Sequence, residues 1–437
     1  MNMLKTAVAI PRALRARAAH HSAFHGTQVL PADPILGMTV AFLADPSPRK
    51  VNVAQGVYRT DEGTPFVLSS VIEAERRVAS ALERGDTNKE YLPIEGYADF
   101  RALTAQLVLG SDSAAIKEER VATLQTISGT GAVSVAGESL RKIAGLDAIY
   151  VPDPSWSNHQ HILRNAGLEV RTYPYLDATT GTTLDFDGFT GALSREDAIP
   201  RGSAVLLHAS AHNPTGIDPT PSQWERLAHI FAERELVAVF DSAYQGYASG
   251  DLDADAASVR TFERAGVLPI VCQSYAKSMG LYGERIGAVN FVCATKEEAD
   301  AVLSHVKQRV IRPVYSSPPL HGARLAAEVL GDAALFAQWK EELRTMSERV
   351  QRMRAELAAE LRRIEAPAPD GGAWEHITSQ IGMFAYTGLS PEHVDALRNE
   401  HHIYMTRDGR AAMASLKPGD IGYVASAIKQ VLVAAAP

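Results

Sequence analysis

The sequence predicts an α/β protein built on a wound, mostly parallel sheet, with ligand-binding groups at the carboxyl ends of its strands. Three observations predict it. Apolar runs at 121–127, 148–151, 203–208, 236–240 and 268–271 alternate with helical stretches, the pattern of strands covered on both faces. Nearly every residue with chemical potential falls just after one of these runs. A long charged helix at 333–364, followed by short strands at 381–386 and 403–405 with a helix at 390–400 between them, marks passage into a second unit. The expected layout is a large domain at 66–346 and a smaller α/β domain built from both chain ends, 25–65 and 347–437.

Composition fits that layout. The chain has 437 residues, 46% hydrophobic and 22% charged, enough for one large and one small domain. No apolar run reaches the length of a membrane span. A net charge of -8 argues against a nucleic-acid partner. The two cysteines, Cys272 and Cys293, lie in apolar runs and read as buried thiols in a reducing compartment. Lys5, Arg12, Arg15 and Arg17 precede the first acid, Asp33, with alanine and leucine between them. That is the composition of a mitochondrial transit peptide over 1–24, with a disordered basic arm as the alternative.

In chain order, 51–58 reads as a strand closing on Gly56, where the missing side chain lets backbone approach a ligand. A charged-faced helix is predicted at 71–84, and Tyr91 follows in a turn, read as core packing. The run 121–127 enters Ser128-Gly129-Thr130 and then a helix, so exposed N–H groups and the helix dipole favour an anion there. Trp156 follows 148–151 and suits either stacking on a flat ring or core packing. Asn213 follows 203–208 and precedes Pro214, which holds its backbone out of a helix and exposes its amide. His208 and His212 lack a cysteine or acid at ligand spacing, so no metal is expected.

The run 236–240 ends on Asp241. A carboxylate there requires a cationic partner, for which a protonated pyridine nitrogen serves; a helix cap is the plainer role. Tyr244, three residues on, is placed to donate to a phenolic oxygen. After 268–271 come Ser274, Lys277 and Arg285, among small residues and two glycines. A partly desolvated lysine becomes a nucleophile, and a hydroxyl with a planar cation suits a phosphate. An amine nucleophile beside a phosphate clamp is what pyridoxal phosphate needs. Proline breaks 309–319 into a loop, with Arg312 a solvated helix end.

The stretch Ser274-Tyr275-Ala276-Lys277-Ser278-Met279-Gly280-Leu281-Tyr282-Gly283-Glu284-Arg285-Ile286-Gly287 resembles the cofactor-lysine motif of aspartate aminotransferases, in the class I aminotransferase family of fold type I pyridoxal-phosphate enzymes. The likeness is nearest to the mitochondrial form and recurs in order from about Asp33 to near the C-terminus. It implies a homodimer with shared sites in the mitochondrial matrix, the cytoplasm and the plastid being alternatives. It implies that the segment from Asp33 crosses to the partner and that Gly56 borders the substrate. Tyr91 then reaches the neighbouring subunit's cofactor phosphate, Trp156 covers the pyridine ring with His159 behind it, and Asn213 bonds the phenolic oxygen. Arg312 pairs with the distal carboxylate of a substrate in the neighbouring site, and Arg410 with the α-carboxylate.

Two arginines about one dicarboxylate imply aspartate and glutamate as amino donors, with oxaloacetate and 2-oxoglutarate as their partners. Two departures keep an aromatic aminotransferase of the same fold as the alternative: Gln55 stands where valine is usual, and Ala411-Ala412-Met413-Ala414-Ser415 replaces the usual segment after Arg410. A lyase or decarboxylase would not need two carboxylate clamps, and a scaffold would not need Lys277 and Asp241.

Overall fold

The computed structural model describes residues 22–434, so nearly all of the expected targeting segment lies outside them. The strands are β1 (Val51–Asn52), β2 (Val121–Ile127), β3 (Ala148–Asp153), β4 (Glu169–Pro174), β5 (Ala204–His208), β6 (Val237–Ser242), β7 (Ile270–Ser274), β8 (Ile286–Val292), β9 (Phe384–Tyr386), β10 (Ile403–Tyr404) and β11 (Arg410–Ala412). Seven of them form one sheet in the order β2-β8-β7-β6-β5-β3-β4. β8 runs antiparallel to both of its neighbours, while the pairs from β7 through β6, β5 and β3 to β4 are parallel.

Alternation along the strands builds a core on each face of this sheet. In β5, Val205 and Leu207 pack with Ala238 and Phe240 of β6 on one face, whereas Leu206 and Val239 point to the other. Burying a side chain such as Phe240 fully contributes about 1.5–3 kcal/mol. Local chemistry starts the covering helices. Thr220 and Gln223 form a reciprocal capping box ahead of Pro221–Glu233. The Asp332 carboxylate accepts the N–H groups of Ala334 (3.0 Å) and Leu335 (2.9 Å) to start the helix Ala333–Arg363.

That long helix shares its core with both chain ends: Val350 and Leu357 pack in one cluster with Val51, Ile403 and Val424. β1 pairs in parallel with β10, and β9 pairs antiparallel with β11.

Four expectations need correction. The predicted strand at 51–58 is only β1, since past Val53 the backbone has no sheet partner and Gly56 packs against the Phe384 ring instead. The loop expected at 309–319 is helical at first. A π-helical turn, Lys307–Ile311, runs into Arg312–Val314, where Pro313 sits in a first turn and its missing N–H breaks no bond. β4 and β8 are additional strands; β4 is a polar sheet edge, and β8 carries Asn290 in its centre. Asn290 is tolerated because it donates to Gln273 (2.6 Å) and accepts from Thr123 (2.8 Å). Finally, Tyr91 is not core: it is 93% exposed.

Candidate active site

The carboxyl ends of β2, β6 and β7, the loop after β5, and the start of β8 converge on one cavity of about 430 Å³. Chain-end segments complete it, with Gly56, Phe384 and Arg410 on one side and Asp33, Ile35 and Leu36 at the rim. Of the sequence-predicted residues, Gly56, Ser128, Gly129, Thr130, Trp156, Asn213, Asp241, Tyr244, Ser274, Lys277, Arg285 and Arg410 all line it. Tyr91 and Arg312 do not; both are exposed, and among the described residues the Arg312 guanidinium donates to the Ser316 hydroxyl of its own turn.

An anion cradle forms where β2, β7 and β8 meet. The Ser128 and Ser274 hydroxyls lie 3.1 Å apart, and Ser128 donates its N–H to the Arg285 carbonyl at 3.1 Å. Ser128 turns the chain with a left-handed φ of 59° and the helix Ser128–Lys142 starts there without further loop, so the N–H groups that follow Ser128 form its first turn, where no intrahelical acceptor is available. A Cβ on Gly287 would lie 2.5 Å from the Gln273 carbonyl oxygen and 2.7 Å from the Ser128 carbonyl carbon, so only glycine lets these strands close. A Cβ on Gly129 would stand 3.1 Å from that of Ser274.

Lys277 sits beside this cradle, its Nζ 5.9 Å from the centre of the Tyr244 ring. Loss of hydration, opposed by Asp241 and reinforced by Arg285 and Arg410, pulls its amine down to about 8. Burial pushes the Tyr244 hydroxyl up, and the Asp241 charge adds to this.

The floor of the cavity is a hydrogen-bonded chain. Asp241 Oδ2 contacts His159 Nε2 at 2.9 Å, and His159 Nδ1 contacts Ser155 Oγ at 2.8 Å. Burial opposes ionisation of Asp241, but the His159 hydrogen bond, with His159, His208 and Lys277 charges, holds it below the usual carboxylate range. The Trp156 indole meets the His159 ring edge-on at 5.1 Å.

Arg410 forms the opposite wall and is buried. It donates from Nη1 to Asn213 Oδ1 (3.1 Å) and from Nη2 to the Ala54 carbonyl (3.0 Å), over the Phe384 ring at 4.2 Å. Its Nε is buried without a partner among the described residues. Sequence reasoning missed Ala54, Ser155 and Phe384: a carbonyl, a common hydroxyl and a packed ring carry no motif.

Residues 48–428 match the family model of aminotransferase class I and II. The chain belongs to that family. It is 50% identical to the cytoplasmic aspartate aminotransferase of Oryza sativa subsp. japonica, over 94% of this chain and 98% of that one. Aspartate aminotransferase from the Saccharomyces cerevisiae cytoplasm superposes with a TM-score of 0.90 at 38% identity, covering 95% of this chain and 99% of that one. The aromatic-amino-acid aminotransferase of Burkholderia pseudomallei, covalently bound to pyridoxal phosphate, gives 0.88 at 40% identity, covering 94% and 100%. Chloroplastic and mitochondrial forms also stand among the relatives of this aminotransferase.

The residues fit pyridoxal phosphate. This aminotransferase offers a cradle whose close backbone approach depends on Gly287 for a phosphate, a low-pKa amine for a carbonyl carbon, and a carboxylate held by His159 for a ring nitrogen.

Proposed function

We propose that this aminotransferase moves an amino group between L-aspartate and 2-oxoglutarate, giving oxaloacetate and L-glutamate. The observation that carries the reading is the shared cavity of Lys277, Asp241 and Arg410, which puts an amine, a carboxylate and a guanidinium around one space.

When bound, pyridoxal phosphate supplies an electrophilic carbonyl and an electron-withdrawing ring. Ser128, Gly129, Thr130, Ser274 and Arg285 would hold its phosphate, and Trp156 would cover the ring. Asp241, kept anionic by His159, would hold the ring nitrogen protonated, while Asn213 and Tyr244 would donate to the phenolic oxygen. Lys277 is the covalent anchor. Its amine, when free, would take the proton from the substrate α-carbon and hold it for return on the cofactor side of the substrate nitrogen. Arg410 clamps the α-carboxylate, which orients the α-C–H bond.

The exposure of Arg312 and Tyr91 supports roles across a homodimer, Arg312 on the distal carboxylate and Tyr91 on the phosphate of the neighbouring site. The acid-free basic start supports the mitochondrial matrix as destination. The large domain is assigned to 66–346, and the small one to 25–65 with 347–437.

A second reading, dual action on dicarboxylic and aromatic amino acids, is favoured by Gln55, a polar group at the cavity lip. Steady-state kcat/KM on aspartate, tyrosine and phenylalanine tests both. Preference for aspartate by two decades or more supports the first, on roughly 1.5–3 kcal/mol per charge-assisted contact; near-equal values support the second. No turnover of any of the three overturns both.

A further inference from the structure

The helix Ala333–Arg363 carries a guanidinium that this chemistry leaves unused. Arg354 is 2% exposed, and no carboxylate pairs with it among the described residues. Its Nη1 donates to the Ile377 carbonyl (3.1 Å), and its Nη2 to the carbonyls of Gly382 (2.8 Å) and Phe384. Burial pulls it down to about 9. A buried cation without a counter-ion is costly to maintain, and an apolar residue of similar size could fill this space. Its retention calls for a task that needs its donors.

Those three carbonyls belong to the segment that backs the substrate wall. The Phe384 ring underlies the Arg410 guanidinium and fills the space of a Gly56 Cβ, which would meet it at 2.6 Å. β9 starts at Phe384 and pairs with β11, placing Tyr386 opposite Arg410. On the other side, Ile381 donates its N–H to the Gly216 carbonyl at 2.8 Å, in the loop whose Asn213 receives Arg410. Arg354 thus grips the one segment that touches Arg410 through its ring, its strand partner and its asparagine loop.

We propose that Arg354 is a positioning residue that fixes 377–384 and thereby sets the aim of Arg410 at the substrate α-carboxylate. The inference rests on the reading of Arg410 as that clamp. Arg354→Lys keeps the charge but replaces a planar fork with one ammonium that cannot span three carbonyls.

The test uses the holoenzyme, with aspartate kinetics and the binding of succinate, a non-reacting dicarboxylate. Arg354→Lys is expected to raise the aspartate KM and the succinate Kd by about tenfold, the scale of one weakened charge-assisted contact. Expected kcat stays within about twofold, and the cofactor absorbance is unchanged. In an Arg410→Ala background the same substitution should produce no further fall in kcat/KM, because the residue it acts through is gone. A full, additive loss in that background makes Arg354 merely structural and overturns the inference.

Phe384→Leu is the second probe, since it leaves Arg354 and its carbonyls in place but removes the ring beneath Arg410. Weaker succinate binding that depends on Arg410 supports the proposal. Unchanged succinate binding overturns it, even if Arg354→Lys fails to fold. Arg410→Ala with unchanged aspartate KM and succinate Kd would instead sink the clamp reading itself.

Discussion

His159 Nε2 and Asp241 Oδ2 lie 2.9 Å apart, on an imidazole with no solvent exposure. With Ser155 bonded to the far nitrogen, the imidazole is fixed in place and the carboxylate keeps its charge under the cavity floor. Asp241→Asn preserves shape and removes that charge. Single-turnover transamination of aspartate should fall by at least about 10²–10³-fold, the scale of one lost electrostatic contact in a closed site. Retention of pyridoxal phosphate should weaken less. An unchanged single-turnover rate would remove Asp241 from the chemistry.

The Lys277 amine gives a pH prediction. Its folded value of about 8 lies below the ordinary 10.5. Between those limits the unfolded chain holds a proton that the folded chain does not, so this group's contribution to stability rises with pH from about 8 to 10.5. Below about 8 the buried charge is a constant penalty. Reductive methylation of cofactor-free protein with formaldehyde, read by peptide mass, should label Lys277 with a midpoint near 8. A midpoint near 10.5 would show that the amine is not desolvated.

Arg312 tests the shared site. Arg312→Ala should lower kcat/KM for aspartate by roughly two to four decades, from the ~2–5 kcal/mol lost when one partner of a buried charge pair is removed. Phenylalanine, lacking the distal carboxylate, should lose far less. Mixed with Lys277→Ala, itself inactive, the variant should regain activity, because one site of each mixed dimer escapes both defects. If mixed dimers form and stay inactive, Arg312 serves its own subunit.

Gly287→Ala tests the cradle. Its Cβ would press on backbone atoms at 2.5 and 2.7 Å, which cannot swing away as a side chain can. Overpacking of this kind costs about 1–3 kcal/mol, so the melting temperature should drop and phosphate affinity with it. Wild-type values for both would mean that the strands separate freely.

Much of this arrangement was legible because the site residues sit directly after apolar runs, where chain order and spatial order coincide. Asp241 near the end of β6 and Ser128 just after β2 needed only strand ends to be found. What stayed hidden depends on contacts across the chain. The apolar run stops at Val271, yet Gln273 and Ser274 extend β7 because Thr104 and Asn290 satisfy the Gln273 amide. Arg354 looked like one more cation on a charged helix, since its acceptors are carbonyls some distance along the chain. Tyr91 was misread because an aromatic in a turn signals packing, whereas its ring is exposed in this chain.

The reversed direction of β8 has a mechanical outcome. Ser274 pairs with Gly287, so β7 and β8 form a hairpin whose bridging loop carries both the lysine and Arg285. Gly283, at the exposed tip of that loop, has no neighbour within 4 Å of where a Cβ would stand. The loop can therefore take a side chain at Gly283 while the ladder of backbone bonds at its base holds the two ends of the loop together. Proximity here is enforced by strand pairing rather than by covalent continuity, and that makes the tip a natural place to graft a tether or a reporter.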